Sequence, residues 1–455
     1  MNQLLSTIQT IPEIAALAEA VEAGACPAAA VGLAPVHRAQ IAAALAEAAG
    51  RPLVMVCSDE AEAVRLAADL EALLKTGALR LSARELFVRA GTVISRQWEH
   101  QRIAALCRLG RGEGRVLVAT AEGLLQKTSP RDRLGEAAFT LSIGARFDLG
   151  ELPRRLVDAG YSRSEQVEGV GQFALRGGIL DVFSPMMDEP VRCEFFDDEI
   201  DSLGAFDPVT QRRTKNIKSA LLLPACELLP GAEPASVFGH LPANALICLC
   251  ETARVGERVK NVLWQAREDT ESLLAAGEKD GDLTRLLLSA GEWLEELGRF
   301  ALCMMDALPT SRYPLPPRTL LSVTAKQLSA YGGSLEAAAA DLEHYRSAGF
   351  GTLLLCGGEA RGRNLQRMLE EKGVPAALDF ACTAMPGPGE VRIAVGALSA
   401  GAEYPQLRLA VLTEGQLTAA PAGKRPAPRE KKKSSRQKLL SYTDLTPGDL
   451  VVHTH

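Results

Sequence analysis

The sequence predicts an α/β protein of several domains. Three observations carry that reading: short apolar runs alternate with helical-period windows, the middle switches to alternating strand patterns, and the α/β pattern resumes after a proline-rich boundary. The 455 residues, 47% of them apolar, suffice for roughly two to four domains, each with its own core.

Taken in order, AAAVGL at 28–33 reads as a short buried strand, and the helix through AQIAAALAEAAG is closed by Gly50. LVMVC is a second strand. Asp59 then supplies the N-cap of a helix through EAEAVRLAADLEALL, whose apolar residues recur at helical spacing. VLVAT, Val116 to Thr120, adds a strand before a further helix, so the first domain is a parallel sheet covered by helices. From about Pro130 to Ser219 the chain shows short alternating strands with Gly-Gly and Asp-Pro turns, and few helical windows beyond LGELPRRLVDAG. That pattern predicts an inserted, mostly antiparallel α+β module.

LICLC returns to a buried strand, and helical windows follow from Val255 to Ala307. After LPTSRYPLPP (308–317), a helix through LEAAAADLEHYRSAG, the strand TLLLC, a helix ending at Gly373, and VRIAV and LRLAVL form a small α/β unit. LTPGDLVVHTH starts a strand that cannot pair alone, so a further domain is expected to be cut off at His455. The expected partition is 1–130 and 219–314 for two segments of the first domain and 131–218 for the insertion. The third unit takes 317–417, a basic linker 418–443, and the start of the truncated domain 444–455.

The net charge of −6 is unevenly spread: Lys424 to Lys438 holds eight basic residues against one acid, which is +7 and leaves −13 for the rest. Proline and alanine around these charges, with no apolar period, read as a solvated linker that touches DNA at most weakly. The N terminus has no basic region leading into an apolar core, and no stretch approaches roughly 18 uninterrupted apolar residues, so a cytoplasmic protein with no membrane partner is expected. The ten cysteines form no C-x-x-C pair and the histidines have no zinc-ligand spacing, so no metal is expected; Cys248 and Cys250 share one strand face and are expected in the core.

Asp198-Glu199-Ile200-Asp201 spells the D-E-x-D of a nucleic-acid motor, but its strand, VRCEFF, alternates Arg192 and Glu194 with Cys193 and Phe195, so it is half exposed. These acids are expected to form a solvated turn, or one paired with arginine. A motor also needs G-x-x-x-x-G-K-S/T. The best-placed candidate, GLAPVHRA, begins at Gly32 and sets His37, Arg38 and Ala39 where glycine, lysine and a metal-binding hydroxyl belong. No nucleotide or other cofactor is expected for this chain.

GYSRSEQVEGVGQFALRGGILDVFSP (160–185) followed by VRCEFFDDEIDSLGAFDPVTQRRT (191–214) closely resembles the signature region of the bacterial transcription-repair coupling factors, shared in part with the excision-repair protein UvrB. The resemblance extends to GLAPVHRA, ALSAGAEYPQLRLAVLTEGQL and LTPGDLVVHTH, and so covers nearly the whole chain. It implies a UvrB-like α/β domain with a degenerate P-loop, an insertion that binds UvrA through an exposed sheet face, and a small third domain. It also implies the start of an RNA-polymerase-interacting domain, with the ATP- and Mg2+-dependent DNA translocase lying beyond His455. Arg163 and Arg176 stand where family members present UvrA-contacting arginines, with Arg192 and Glu194 on a neighbouring strand; Ala174 stands where UvrB has a further arginine. The bland alternative is that Arg176 makes an internal turn bond and Arg163 is merely solvated, while Phe183 belongs to the core. In the full-length family an autoinhibitory contact would mask this face.

Two departures stand out: the segment between Leu229 and Leu241 is far shorter than in the family, and VRAGTVISRQWEHQRIAA (88–105), where UvrB has a tyrosine-rich damage-probing hairpin, has no tyrosine. The leading expectation is a non-catalytic adaptor for UvrA. Its rival is a divergent UvrB-like helicase fragment that binds ATP and damaged DNA.

Overall fold

The computed structural model describes residues 1–86, 96–277 and 282–417. Its first unit is a seven-stranded parallel sheet in the spatial order Thr319–Ser322, Ala28–Val31, Ala301–Met305, Leu246–Cys250, Leu53–Cys57, Val116–Thr120, Ala78–Leu81. The central strands are buried on both faces, which is why they read as unbroken apolar runs. Their side chains alternate between two cores. Leu246, Cys248 and Cys250 face the layer of Asn2–Gln9, Pro12–Glu22, Pro35–Ala49 and Glu60–Leu74, while Ile247 and Leu249 face that of Gln97–Gly110, Thr252–Ala275 and Ala290–Gly298.

Two local signals act as the sequence suggests: Asp59 Oδ1 accepts the Glu62 amide at 2.9 Å, and Gly50 ends its helix in the left-handed region at φ 59°. Helix Pro35–Ala49 has no polar face along 36–46, every residue there being buried. Such a helix must be covered all round. The sheet lies beneath it, neighbouring helices flank it, and the third unit caps it: Tyr404 Oη donates to Gln40 Oε1 at 2.7 Å, and Ser399 N and Oγ both donate to Asp69 at 2.6 Å.

Three expectations change. Ala301–Met305, inside the stretch read as helical, is a central strand; five apolar residues fit either structure, and strand pairing on both sides decides. Thr319–Ser322, assigned to the third unit, pairs in parallel with Ala28–Val31 in the large sheet. Ser219–Leu222, assigned to the second segment of the first domain, pairs antiparallel with Phe139–Ser142 and so closes the neck of the insertion. The short 229–241 segment forms one turn, Val237–His240, with Phe238 buried. The basic linker, the final strand and residues 88–95 lie outside the described residues.

The insertion is a six-stranded sheet in the order Arg213–Asn216, Glu199–Phe206, Val191–Phe196, Ile179–Val182, Gln172–Arg176, Ser162–Arg163, antiparallel except for the last pair. The third unit is a separate mixed sheet centred on Gly351–Cys356 and Leu409–Thr413, covered by Leu335–Ser347 and Glu359–Glu370. No single helix among the described residues is long and apolar enough to cross a membrane.

A buried ion triad fixes the insertion to the parallel sheet. Arg102, fully buried, donates from Nε and Nη2 to Glu227 at 2.8 and 2.9 Å and from Nη1 to the carbonyls of Ser82 and Gly123; Arg84 pairs with the same carboxylate at 2.8 Å. Burial alone would raise the Glu227 pKa, but the two guanidiniums outweigh it and hold the carboxyl below its usual range. A depressed carboxylate contributes stability above its unfolded pKa and loses it as pH falls through the folded value. Glu227→Gln, which leaves two buried cations with no counter-charge, is expected to cost about 3–5 kcal/mol at neutral pH by denaturant titration. The gap from the parent should narrow as the pH drops below the ordinary glutamate range; a variant equally stable at pH 7 contradicts this account of the neck.

Candidate functional site

The turn from Ala28–Val31 into helix Pro35–Ala49 sits where a P-loop would cradle phosphate, and its first two amides are already engaged. The amide of Gly32 donates to Ala307 O at 3.2 Å and that of Leu33 to Asp306 O at 3.1 Å. Gly32 lies in the left-handed region at φ 87°, and a Cβ there would meet Val323 O at 2.2 Å, so main chain packs where a ligand would approach. Arg38, in the lysine position, is 2% exposed. Its Nη1 pairs with Glu62 at 3.2 Å, and its Nη2 bonds Glu251 and donates to Leu33 O at 3.0 Å.

His37 is buried edge-on to Tyr404, with ring centroids 5.5 Å apart, and burial lowers its pKa to about 4, so it is neutral at physiological pH. Ala39, fully buried, offers no hydroxyl. The remaining charge nearby is acidic: Asp306 accepts the Thr252 amide at 2.6 Å and its hydroxyl at 3.0 Å, and burial raises the pKa of both Asp306 and Glu62. One arginine against Glu62, Glu251 and Asp306 holds the helix end together, and its charge is committed to those carboxylates rather than open to a polyphosphate.

The insertion builds a different surface. Leu180, Val182, Val191 and Cys193 face its core, so the alternate residues Ala174, Arg176, Ile179, Asp181, Arg192 and Glu194 line the opposite sheet face. Asp181, fully buried, ties this face together: it accepts Arg176 Nη2 at 2.7 Å and Arg192 Nε and Nη2 at 2.6 and 2.9 Å. Arg192 is further held over the Phe206 ring, 4.6 Å from its centroid. The Arg176 side chain keeps 54% of its surface exposed, and that of Arg192 only 21%. Glu194 accepts Ser202 Oγ at 2.8 Å, and Arg213 donates to that hydroxyl at 3.3 Å.

The structure therefore joins Arg176, Arg192 and Glu194 on one face. Arg163 sits on the edge strand in register with Phe173, a core-facing residue, so it leaves the sheet on the other side and is exposed there. Phe183 is buried, and Arg146 pairs with Asp198 and Glu199 at the acidic turn. Asp181 was not singled out from the sequence. Its signal was a lone acid inside the apolar run ILDVF, which is costly unless paired. Ile179 and Phe196, 39% and 80% exposed, add apolar area beside the arginines.

Residues 139–228 match the UvrB interaction domain family. Over 93% of its length the chain is 26% identical to the transcription-repair-coupling factor of Bacillus subtilis and 22% identical to that of Staphylococcus aureus strain Mu50; over 79% of its length it is 24% identical to that of Staphylococcus epidermidis strain RP62A. The chain spans 35–41% of the length of these relatives.

Because the amides of Gly32 and Leu33 are engaged and Arg38 is neutralised, calorimetric titration of the full chain with Mg-ATP is expected to show no binding tighter than about 1 mM, a level at which only about 4 kcal/mol of binding free energy remains. The triple change His37→Gly, Arg38→Lys, Ala39→Ser is expected not to create a site. Micromolar binding by either protein contradicts this geometry.

Proposed function

We propose that this chain, which carries a UvrB interaction domain and is similar along nearly all of its length to transcription-repair-coupling factors, is a non-catalytic adaptor that recruits UvrA to stalled transcription. The observation that carries the reading is the open face of the inserted sheet. There a buried carboxylate, Asp181, fixes Arg192 and leaves the Arg176 fork half exposed beside Ile179 and Phe196. Guanidinium beside exposed apolar area is the composition of a protein-binding hot spot, since its planar fork pairs bidentately with carboxylate. On this reading Arg176 contacts UvrA directly, Arg192 and Glu194 shape the face, and Arg163 extends the contact around the sheet edge.

The two segments flanking the insertion then form a UvrB-like domain whose nucleotide turn has become structural, with the small third domain docked on it. ATP, Mg2+, the DNA translocase and the contact with RNA polymerase belong to regions beyond the described residues. The rival helicase reading finds no support in the turn at Gly32, where main-chain carbonyls take the place of phosphate oxygens.

Capture of UvrA by the full chain is expected to fall at least tenfold, roughly 1.4 kcal/mol, in Arg163→Glu/Arg176→Glu with the melting temperature of Arg163→Glu unchanged. Arg192→Glu is expected to lower stability as well as binding, because it sets a second carboxylate against Asp181. Undiminished UvrA capture by the folded double variant would sink the adaptor assignment for this face.

A further inference from the structure

A cleft of about 740 Å³ lies on the parallel-sheet domain, bounded by the first turns of helix Thr252–Ala275, by helix Ala290–Gly298 and by the segment 310–314. Small-molecule sites occupy roughly 300–1,000 Å³, so its size is sufficient. Thr252 follows strand Leu246–Cys250 and Thr310 follows its neighbour Ala301–Met305, which places the cleft past the carboxyl ends of two adjacent parallel strands. That is where open α/β sheets take up ligands. Its lining includes no residue of the turn at Gly32 or of the inserted sheet.

The lining divides by chemistry. Val259, Trp293, Leu294, Tyr313 and Pro314 supply apolar surface, and the small residues Ala253, Gly256 and Ala290 leave room against it. Lys260 and Arg312 set two cations against one carboxylate, Glu257, and neither cation makes an ion pair among the described residues. The amide and hydroxyl of Thr252 are already bonded to Asp306, so recognition of an anion falls to the two side chains. Trp293 is 2% exposed, and its indole Nε1–H has no acceptor among the described residues. A buried donor left without an acceptor is costly, and a ligand oxygen seated beside the ring would supply one. An apolar body therefore suits the walls, while a single anionic group suits the ammonium and the guanidinium. A polyphosphate or a nucleic-acid strand suits them poorly, because Glu257 offsets one of the cations and most of the lining is apolar.

We propose that this cleft binds a small organic carboxylate with an apolar body of aromatic size, its charge held by Lys260 and Arg312. The assignment is independent of the adaptor reading. The test is titration of the full chain carrying Trp98→Phe/Trp264→Phe, which leaves Trp293 as the one tryptophan of three, with anilinonaphthalene sulfonate, an aromatic body bearing a single anion. Saturable quenching of Trp293 emission as the probe brightens is expected. Lys260→Glu/Arg312→Glu in the same background is expected to weaken binding at least about tenfold, because both cations are replaced by carboxylates. Phenylbutyrate is expected to displace the probe, and uncharged phenylbutanol to leave it in place. Equal displacement by the acid and the alcohol overturns the proposal, as does unchanged affinity in the charge-reversed variant. Trp293 emission that the probe leaves unaltered overturns it too. The competition pair keeps both cations in place, so it decides the question even where the charge-reversed variant fails to fold.

Discussion

The guanidinium of Arg38 is the point on which the first domain turns. It lies at the start of a helix buried on all sides and joins two other parts of the fold: Glu62, in the first turn of helix Glu60–Leu74, and Glu251, just past strand Leu246–Cys250. A buried cation is tolerated only when paired, and here the pairing also commits the charge that a nucleotide would need. The amides of Gly32 and Leu33 are spent in the same way, on carbonyls that follow strand Ala301–Met305. What resembles a phosphate loop in topology has become a corner of the core, and the third unit seals it through His37, Gln40 and Asp69.

Stability and recognition are thereby divided between parts of the chain. The parallel sheet supplies a rigid base, the Arg102–Glu227–Arg84 triad transmits that rigidity across the neck, and the inserted sheet exposes Arg176, Ile179 and Phe196 on the face away from its main core, beside a small buried cluster of Val167, Ala174, Phe183 and Phe206. Asp181 does for that face what Glu62 and Glu251 do for Arg38: a carboxylate beneath the surface sets guanidiniums in place. Arg192 is spent largely on this internal order, whereas Arg176 remains available outward, which is the physical basis for ranking the two.

Much of this was legible in the residues. The strands LVMVC, VLVAT and LICLC, the Asp59 cap and the Gly50 stop are local signals, and each acts locally in the structure. The alternation in VRCEFF gave the correct half-exposed strand. Ala301–Met305 and Thr319–Ser322 were misassigned because their strand character comes from neighbours far along the chain, and a short apolar run beside helical windows carries no period of its own. The neck was placed four residues early for a similar reason: only pairing with Phe139–Ser142 assigns Ser219–Leu222 to the insertion. At the candidate surface the sequence supplied the arginines but neither their partner Asp181 nor the register that turns Arg163 away from Arg176. Both depend on which strands lie side by side.

The central claim is that the inserted sheet face recognises a partner while the phosphate-like turn serves only the fold. Amide hydrogen exchange of the full chain, with UvrA and Mg-ATP present together, addresses both halves at once. Slower exchange confined to 172–182 and 191–206, with 32–39 unchanged, is the predicted result. Slowing at 32–39 with the inserted sheet unaffected would contradict it.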